Sequence, residues 1–245
     1  MTAGELLAAA RSFPISTLQE RLGDGGLVVV APHPDDESLA CGGLIASACE
    51  LGRPTRIIVV SDGTGSHPNS KTHPEQELRN LREAEALQAA RELGLDSRDV
   101  AFLRLPDRFV PSEGPSAEQA VAKILACLKA VDARALFVSW RHDPHADHQA
   151  SYRLARAAQR GGPNVKLYEY TVWGAALTPT TVVEEPGDCF RIDITPWKVK
   201  KQRAIAAHRS QTTDLIKDDP AGFCLTAADL ARFDHPHEFF FESDP

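Results

Sequence analysis

Three stretches constrain this chain more than any other feature. Residues 27–31 (LVVVA), 55–61 (TRIIVVS) and 135–139 (ALFVS) are of strand length and almost continuously apolar. A strand with one wet face alternates apolar and polar residues. A strand apolar at nearly every position is buried on both faces. Helical patterns lie between these runs: 38–51, with Ser38 as an N-cap and Gly52 as a stop; 74–93, stopped by Gly94; 116–131; and 145–159. A leading helix is expected over 3–22, ending at the GDGG turn, and a short strand over 100–103. Strands alternating with helices predict an α/β fold, Rossmann-like, a three-layer αβα with a mostly parallel sheet. Such sheets bind ligands beyond the carboxyl ends of their strands. The loops after Ala31, Ser61, Leu103 and Ser139 should therefore share one edge.

The remaining third is less regular. VKLYEYTVW and CFRIDI read as strands, 198–208 as a helix, and HEFFFES as an aromatic tail. With no linker-like composition to set it off, it is expected to pack around that edge, within one domain spanning 1–245. The 245 residues, 42% of them hydrophobic, suffice for one sizeable core. Lys and Arg number 27 against 34 Asp and Glu, a net charge of −7. That balance offers no basic surface for a phosphate backbone, so nucleic acid is excluded as a partner in favour of a small molecule. Apolar runs fall well short of the roughly 20 residues that span a bilayer. The opening MTAGELLAAARSF has no basic region ahead of its apolar part, so no signal peptide is expected. Five cysteines without a C-x-x-C pair suit reduced, mostly buried thiols of a cytoplasmic protein.

The first strand runs into APHPDDE, which places His33, Asp35, Asp36 and Glu37 within five residues. Carboxylates so close repel unless they are solvated or share a cation. The loop after Ser139, WRHDPHADHQAS, adds His142, Asp143, His145, Asp147 and His148. Each loop alone suits a turn leading into a helix N-terminus. Both at one sheet edge point to a metal site. Catalytic zinc typically takes three His or carboxylate ligands and leaves a position for water. Mixed His/Asp donors without Cys suit Zn²⁺ best, with Fe²⁺ as the other candidate. Bound water becomes a nucleophile, and a neighbouring carboxylate can take its proton. The first loop can supply one His and one Asp as ligands, with the other Asp as base. Spacing does not say which Asp is which, nor whether His145 or His148 is the third ligand.

At these residues the chain resembles the PIG-L/LmbE-like family of metal-dependent N-deacetylases. The A-H-P-D-D-E signature appears as APHPDDE, with one Pro inserted after Ala31, and H-x-D-H as His145-Ala-Asp-His148. SDG at 61–63, R-x-x-E at Arg82 and Glu85, RLPD ending at Asp107, YEYTVW ending at Trp173, and AHRSQ at 207–211 extend the resemblance over roughly residues 27–211. It implies that His33, Asp36 and His148 bind the metal and that Asp35 is the general base. His145 would be the acid or oxyanion stabiliser, oriented by Asp147. Arg82 and Asp107 match positions that contact a sugar-like substrate. The implied reaction is hydrolysis of an N-acetyl amide on an N-acetylglucosamine-type sugar or conjugate. Some sugar deacetylases of this family carry a Tyr shortly before H-x-D-H; here the preceding residues are Arg141, His142, Asp143 and Pro144.

Two other readings compete with the deacetylase. A metallo-phosphoesterase needs a second metal about 3.5–4 Å from the first. A non-catalytic sugar-binding module with a structural metal would close the site with four protein ligands. Glu37 reads as structural, His142 as flanking, and His208 as either packing or lining the site. His67, His73, His235 and His237 read as surface residues. Gly42-Gly43 reads as a close-packing pair, and EFFFE as a core strand or a subunit contact, which leaves self-association open.

Overall fold

A computed structural model describes residues 1–243. Seven strands form one sheet: β1 Gly26–Ala31, β2 Thr55–Ser61, β3 Val100–Leu105, β4 Ala133–Ser139, β5 Lys166–Tyr170, β6 Cys189–Asp193 and β7 His237–Glu242. Their order is β3-β2-β1-β4-β5-β7-β6. The first five strands are parallel, and β7 is antiparallel to both β5 and β6. The helices are α1 Ala3–Ala9, α2 Leu18–Leu22, α3 Asp36–Glu50, α4 Glu75–Leu93, α5 Pro115–Ala130, α6 Ala146–Gly161, α7 Lys198–Ala207, α8 Arg209–Thr212 and α9 Ala227–Ala231. Among the described residues, no helix is long and apolar enough to cross a membrane.

The continuous apolar runs do what their pattern requires. Leu27, Val29, Ile57, Val59 and Phe137 pack with α3, α4 and Ala204 of α7 on one face. Val28, Val30, Ile58, Val60, Leu136 and Val138 pack with α5 and α6 on the other. Successive side chains thus enter opposite cores, and neither core tolerates a polar residue. Val30 pairs in register with Ile58 on one side and Val138 on the other. The carboxyl ends of β1, β2 and β4 therefore line up. The order reverses between β1 and β4, so the loops after those two strands border the crevice where such sheets bind ligands.

Three expectations change. The leading helix is broken: α1 ends in a 3-10 turn over Ala10–Ser12, and α2 starts only after Pro14. Proline lacks the amide that a continuous helix needs. Helix α3 starts at Asp36, so Ser38 lies within its first turn rather than capping it. Its hydroxyl bonds the Glu37 carboxylate at 2.8 Å. His67, expected at the surface, is buried beneath Gly222.

The aromatic tail is a core strand. Phe240 and Phe241 are fully buried, and β7 fills the sheet between β5 and β6. Glu238 of β7 reaches α3, accepting the Gly43 and Leu44 amides at 2.8 Å each and the Lys201 ammonium at 2.7 Å. Gly42-Gly43 permits this closeness. A Cβ at 43 would lie 2.4 Å from Ile194 Cγ2, and one at 42 would lie 2.9 Å from Lys201 Cγ. The late part of the chain thus completes the sheet and, through α7 and α8, packs on α3 and α4.

Candidate metal centre and cleft

Two loops converge beyond β1 and β4. His33 Nδ1 lies 3.3 Å from Asp36 Oδ2, His148 Nε2 lies 3.3 Å from the same oxygen, and the two nitrogens are 3.2 Å apart. A tetrahedral ion with bonds of about 2.0 Å has ligand-to-ligand edges of about 3.3 Å. The three donors therefore fit one face of a tetrahedral site for an ion such as Zn²⁺.

Each donor is held from behind. His33 Nε2 faces Asp107 Oδ1 and Asp147 Oδ2, both at 3.2 Å, which directs Nδ1 toward the triangle. His148 Nδ1 faces Asp143 Oδ1 at 3.4 Å, which directs Nε2 there. Asp36 Oδ2 accepts the His33 amide at 2.9 Å, locking the turn. Carboxylates behind imidazoles fix ring orientation and raise ligand basicity. Asp143 is fully buried and also accepts the amides of His145 at 3.2 Å, Val172 at 3.3 Å and Trp173 at 2.8 Å. It ties the β4 loop to the chain after β5.

The electrostatics match a cation. Burial opposes charge on His148, but Asp36 and Asp143 outweigh it and hold the imidazolium up to about 9. His33 is raised in the same way, burial being overcome by Asp107, Asp147 and Asp36. Burial also opposes charge on Asp36, yet His148 and His33 keep its carboxyl below the usual range. Without metal, protons on the imidazoles carry the positive charge that this acidic pocket demands.

Among the described residues, two further groupings bring ligand atoms within 4.8 Å of one another: His33, His145 and His148; and His33, Asp107 and Asp147. The second is already occupied by hydrogen bonds. Asp107 Oδ2 accepts the Gly65 amide at 2.8 Å, and Asp147 accepts the amides of Arg108 at 2.6 Å and Val110 at 3.1 Å. These carboxylates support His33 rather than forming a second metal site, which removes the geometric basis for a two-metal phosphoesterase.

Asp35 occupies the N-cap position of α3 at φ 152°, ψ −27°, a backbone region that residues with a Cβ rarely adopt. Its carboxylate makes no capping bond. It lies 3.5 Å from the Arg82 guanidinium. Burial pushes its pKa up to about 6; the Arg82 charge pulls against this and the Asp36 charge adds to it. The Asp35 amide bonds Glu37 at 3.1 Å, and Glu37 in turn faces His208 at 3.1 Å. His208 is thus a buried support beneath the loop. His142 packs against Trp140 instead and is not among the cleft-lining residues.

His145 caps α6, and its Nδ1 accepts the Asp147 amide at 3.2 Å. Its ring packs edge-on to His33, with centroids 4.7 Å apart. The orienting contact is thus the backbone of Asp147, whereas the Asp147 carboxylate serves His33. With Nδ1 accepting, the Nε2–H is the available donor. Burial, with the charges of His33 and His148, keeps this ring's pKa below the usual value.

A cleft of about 390 Å³ opens onto these groups, lined among others by Gly65, Ser66, Arg108, Trp173, Gln211 and Phe223. Arg82 and Asp107 also line it, and both make bonds within the protein, although Arg82 Nε has no partner. Arg82 is buried and donates to the carbonyls of Gly63 and Pro34, each at 2.9 Å. Asp107 is held by His33 and the Gly65 amide. Both thus touch the loops that carry Asp35 and His33 as well as lining the cleft. Trp173 and Phe223 form an edge-to-face pair, centroids 5.8 Å apart, as one apolar wall. Sequence reasoning gave no role to Phe223, which no motif flags, nor to Arg108 and Gln211.

The chain is 28% identical over 233 residues to 2'-N-acetylparomamine deacetylase of Streptomyces fradiae, covering 86% of this chain and 82% of that protein. It is 26% identical over 204 residues to a probable N-acetyl-alpha-D-glucosaminyl L-malate deacetylase 2 of Bacillus cereus, covering 80% and 87%. The fold is shared with N,N'-diacetylchitobiose deacetylase from Pyrococcus horikoshii, at a TM-score of 0.64 and 21% identity, covering 96% of this chain and 89% of that one. Residues 28–159, from β1 to the last turn of α6, match the family described as PIG-L, GlcNAc-PI de-N-acetylase, and the chain belongs to that family.

Proposed function

We propose that the protein hydrolyses the N-acetyl amide of an N-acetylglucosamine-type sugar or sugar conjugate, with one divalent metal ion held by His33, Asp36 and His148. The family and the relatives support the reaction. The observation that carries the site is the donor triangle with 3.2–3.3 Å edges, open toward the cleft and flanked by Asp35. Zn²⁺ is the first candidate and Fe²⁺ the second, on the borderline character of the His/Asp donors. A structural ion closed by a fourth ligand fits less well, because Nδ1 of His145 accepts a backbone amide, which leaves a proton rather than a lone pair on Nε2.

Held there, a divalent ion would supply Lewis acidity and would acidify a water toward neutral pH. Asp35 takes a proton from the attacking water. Its unspent carboxylate and raised pKa suit a base that must pass the proton on near neutral pH. His145 donates its Nε2–H to the carbonyl oxygen as negative charge develops, and does so as a neutral ring. Protonated Asp35 then returns the proton to the leaving amine, and acetate and the free amine depart. Arg82 steadies the ionised form of Asp35 between turnovers. Asp147 and Asp107 hold His33, and Asp143 holds His148.

The test is amine release from a panel of N-acetylated sugars and glycosides, by protein loaded anaerobically with Zn²⁺ or Fe²⁺. Stoichiometric acetate and amine are expected. Full metal occupancy without amine release across the panel would overturn the reading.

A further inference from the structure

Past Tyr170 the sheet opens. Among the described residues, β5 and β7 pair at Tyr168–Glu242 and Glu169–Phe241 and no further, whereas β6 and β7 stay paired as far as Asp193–His237. A cavity of about 420 Å³ lies in the gap, with residues 170–172 on one side and 237–239 on the other. Small-molecule sites span roughly 300–1,000 Å³. No residue lines both this cavity and the catalytic cleft. Residues 171–176 are the partition: Thr171, Val172 and Ala175 line the cavity, and Trp173 and Ala176 line the cleft.

Its charge is one-sided. Arg11, Arg191, Lys201 and Arg232 line it against a single carboxylate, Glu238. That acid is already spent on the Gly43 and Leu44 amides and the Lys201 ammonium. Arg232 pairs with Asp229. Arg11 and Arg191 remain, and among the described residues no carboxylate lies within 4.0 Å of either guanidinium. Arg191 Nη1 donates to the Arg11 carbonyl at 2.7 Å, but its Nε is buried and has no partner. Native proteins leave few buried donors unpaired, and one in a cavity wall marks a place for a bound group. Leu39, Tyr170 and Phe239 give the same cavity an apolar side. Tyr170 offers only its ring there, because its hydroxyl donates to the Val30 carbonyl at 2.7 Å.

We propose that this cavity is a second binding site, apart from the catalytic cleft, for a small organic anion with an apolar body. The body packs on Leu39, Tyr170 and Phe239, and a carboxylate or phosphate meets Arg191 and Arg11. A guanidinium fork matches the paired oxygens of either group. The site needs neither the metal nor an acetylated sugar, so it stands whether or not the deacetylase reading does.

The probe is anilinonaphthalene sulfonate, an apolar anion that fluoresces when shielded from water, titrated into the metal-loaded protein. Wild type should bind it saturably. Benzoate and phenyl phosphate should displace it, and the stronger of the two assigns carboxylate or phosphate. Benzyl alcohol, which is neutral, should not displace it. Arg191→Gln and Arg11→Gln should each weaken dye binding at least about tenfold, the scale of one charge-assisted hydrogen bond. Arg108→Gln, in the catalytic cleft, should leave dye binding unchanged. The Arg11 side chain is exposed, so Arg11→Gln decides the outcome if Arg191→Gln fails to fold. The proposal is overturned if wild type binds no dye saturably, if benzyl alcohol displaces it as well as the anions do, if Arg11→Gln binds it as wild type does, or if Arg108→Gln abolishes binding.

Discussion

At the start of a helix an aspartate ordinarily spends its carboxylate on the first free amides. Asp35 instead accepts an unfavourable backbone and keeps its carboxylate free beside Arg82. Asp35→Asn preserves the shape but cannot take a proton. Metal content should survive and kcat should fall about 10²–10⁴-fold, the usual contribution of an acid–base group. Near-normal turnover by that variant on a confirmed substrate would remove Asp35 as the base. The same raised pKa sets a pH dependence. Activity needs the ionised form, so kcat/KM should rise with pH, on a limb at about 6 or lower, since a bound cation favours the carboxylate. Arg82 pulls this pKa down. Arg82→Met should therefore move the limb to higher pH, while Arg82→Lys, which keeps the charge, should move it less. A limb that stays put in Arg82→Met would detach it from Asp35.

Among the elements, the two catalytic loops are held by contacts of very different legibility. The first is local: His33, Asp36 and the start of α3 lie within one turn, and the His/Asp spacing announced them. The second depends on Asp143, whose carboxylate accepts amides from both β4 and β5 loops and faces His148. Its sequence context, HDPH, offers only a generic turn, because the amides it satisfies at 172 and 173 lie almost thirty residues away. Asp143→Ala should lower metal affinity about 10–100-fold, the usual cost of removing a carboxylate behind a ligand histidine. It should also lower the melting temperature by several degrees, since three amides lose their acceptor. Equal metal affinity in the variant and wild type would leave Asp143 a purely structural role. Arg82 and Asp107 show the same limit from the other side. Their motifs were legible, but the bonds they make to Gly63, Pro34, His33 and Gly65 depend on the fold. The β1, β2 and β4 runs were legible because continuous apolarity admits few environments. Pro14 marks the break of the leading helix in the sequence itself. Phe223 and Arg108 reach the cleft through connections that no periodicity encodes.

For the molecule as a whole, the metal centre is a store of buried charge set between two hydrophobic cores, and its protonation couples to folding. His148 has a folded pKa of about 9 against an ordinary 6.5, and His33 is raised as well. A raised histidine pKa stabilises the fold fully below about pH 6.5, and that contribution is lost as pH climbs toward 9. The metal-free protein should therefore lose stability across that window, as Asp36, Asp143, Asp107 and Asp147 are left facing neutral rings. A bound divalent ion replaces the protons, so the loaded protein should hold its stability over the same range. Two measurements follow from one cause. The gap in melting temperature between loaded and metal-free protein should widen from pH 6.5 to 9 at fixed free metal. Metal titration near pH 7 should release protons, readable as a dependence of the binding heat on buffer ionisation enthalpy. A gap constant with pH, together with binding heats independent of buffer, would mean that His33 and His148 are already neutral before metal arrives. The acids behind them would then have to be neutralised by some other group within the fold.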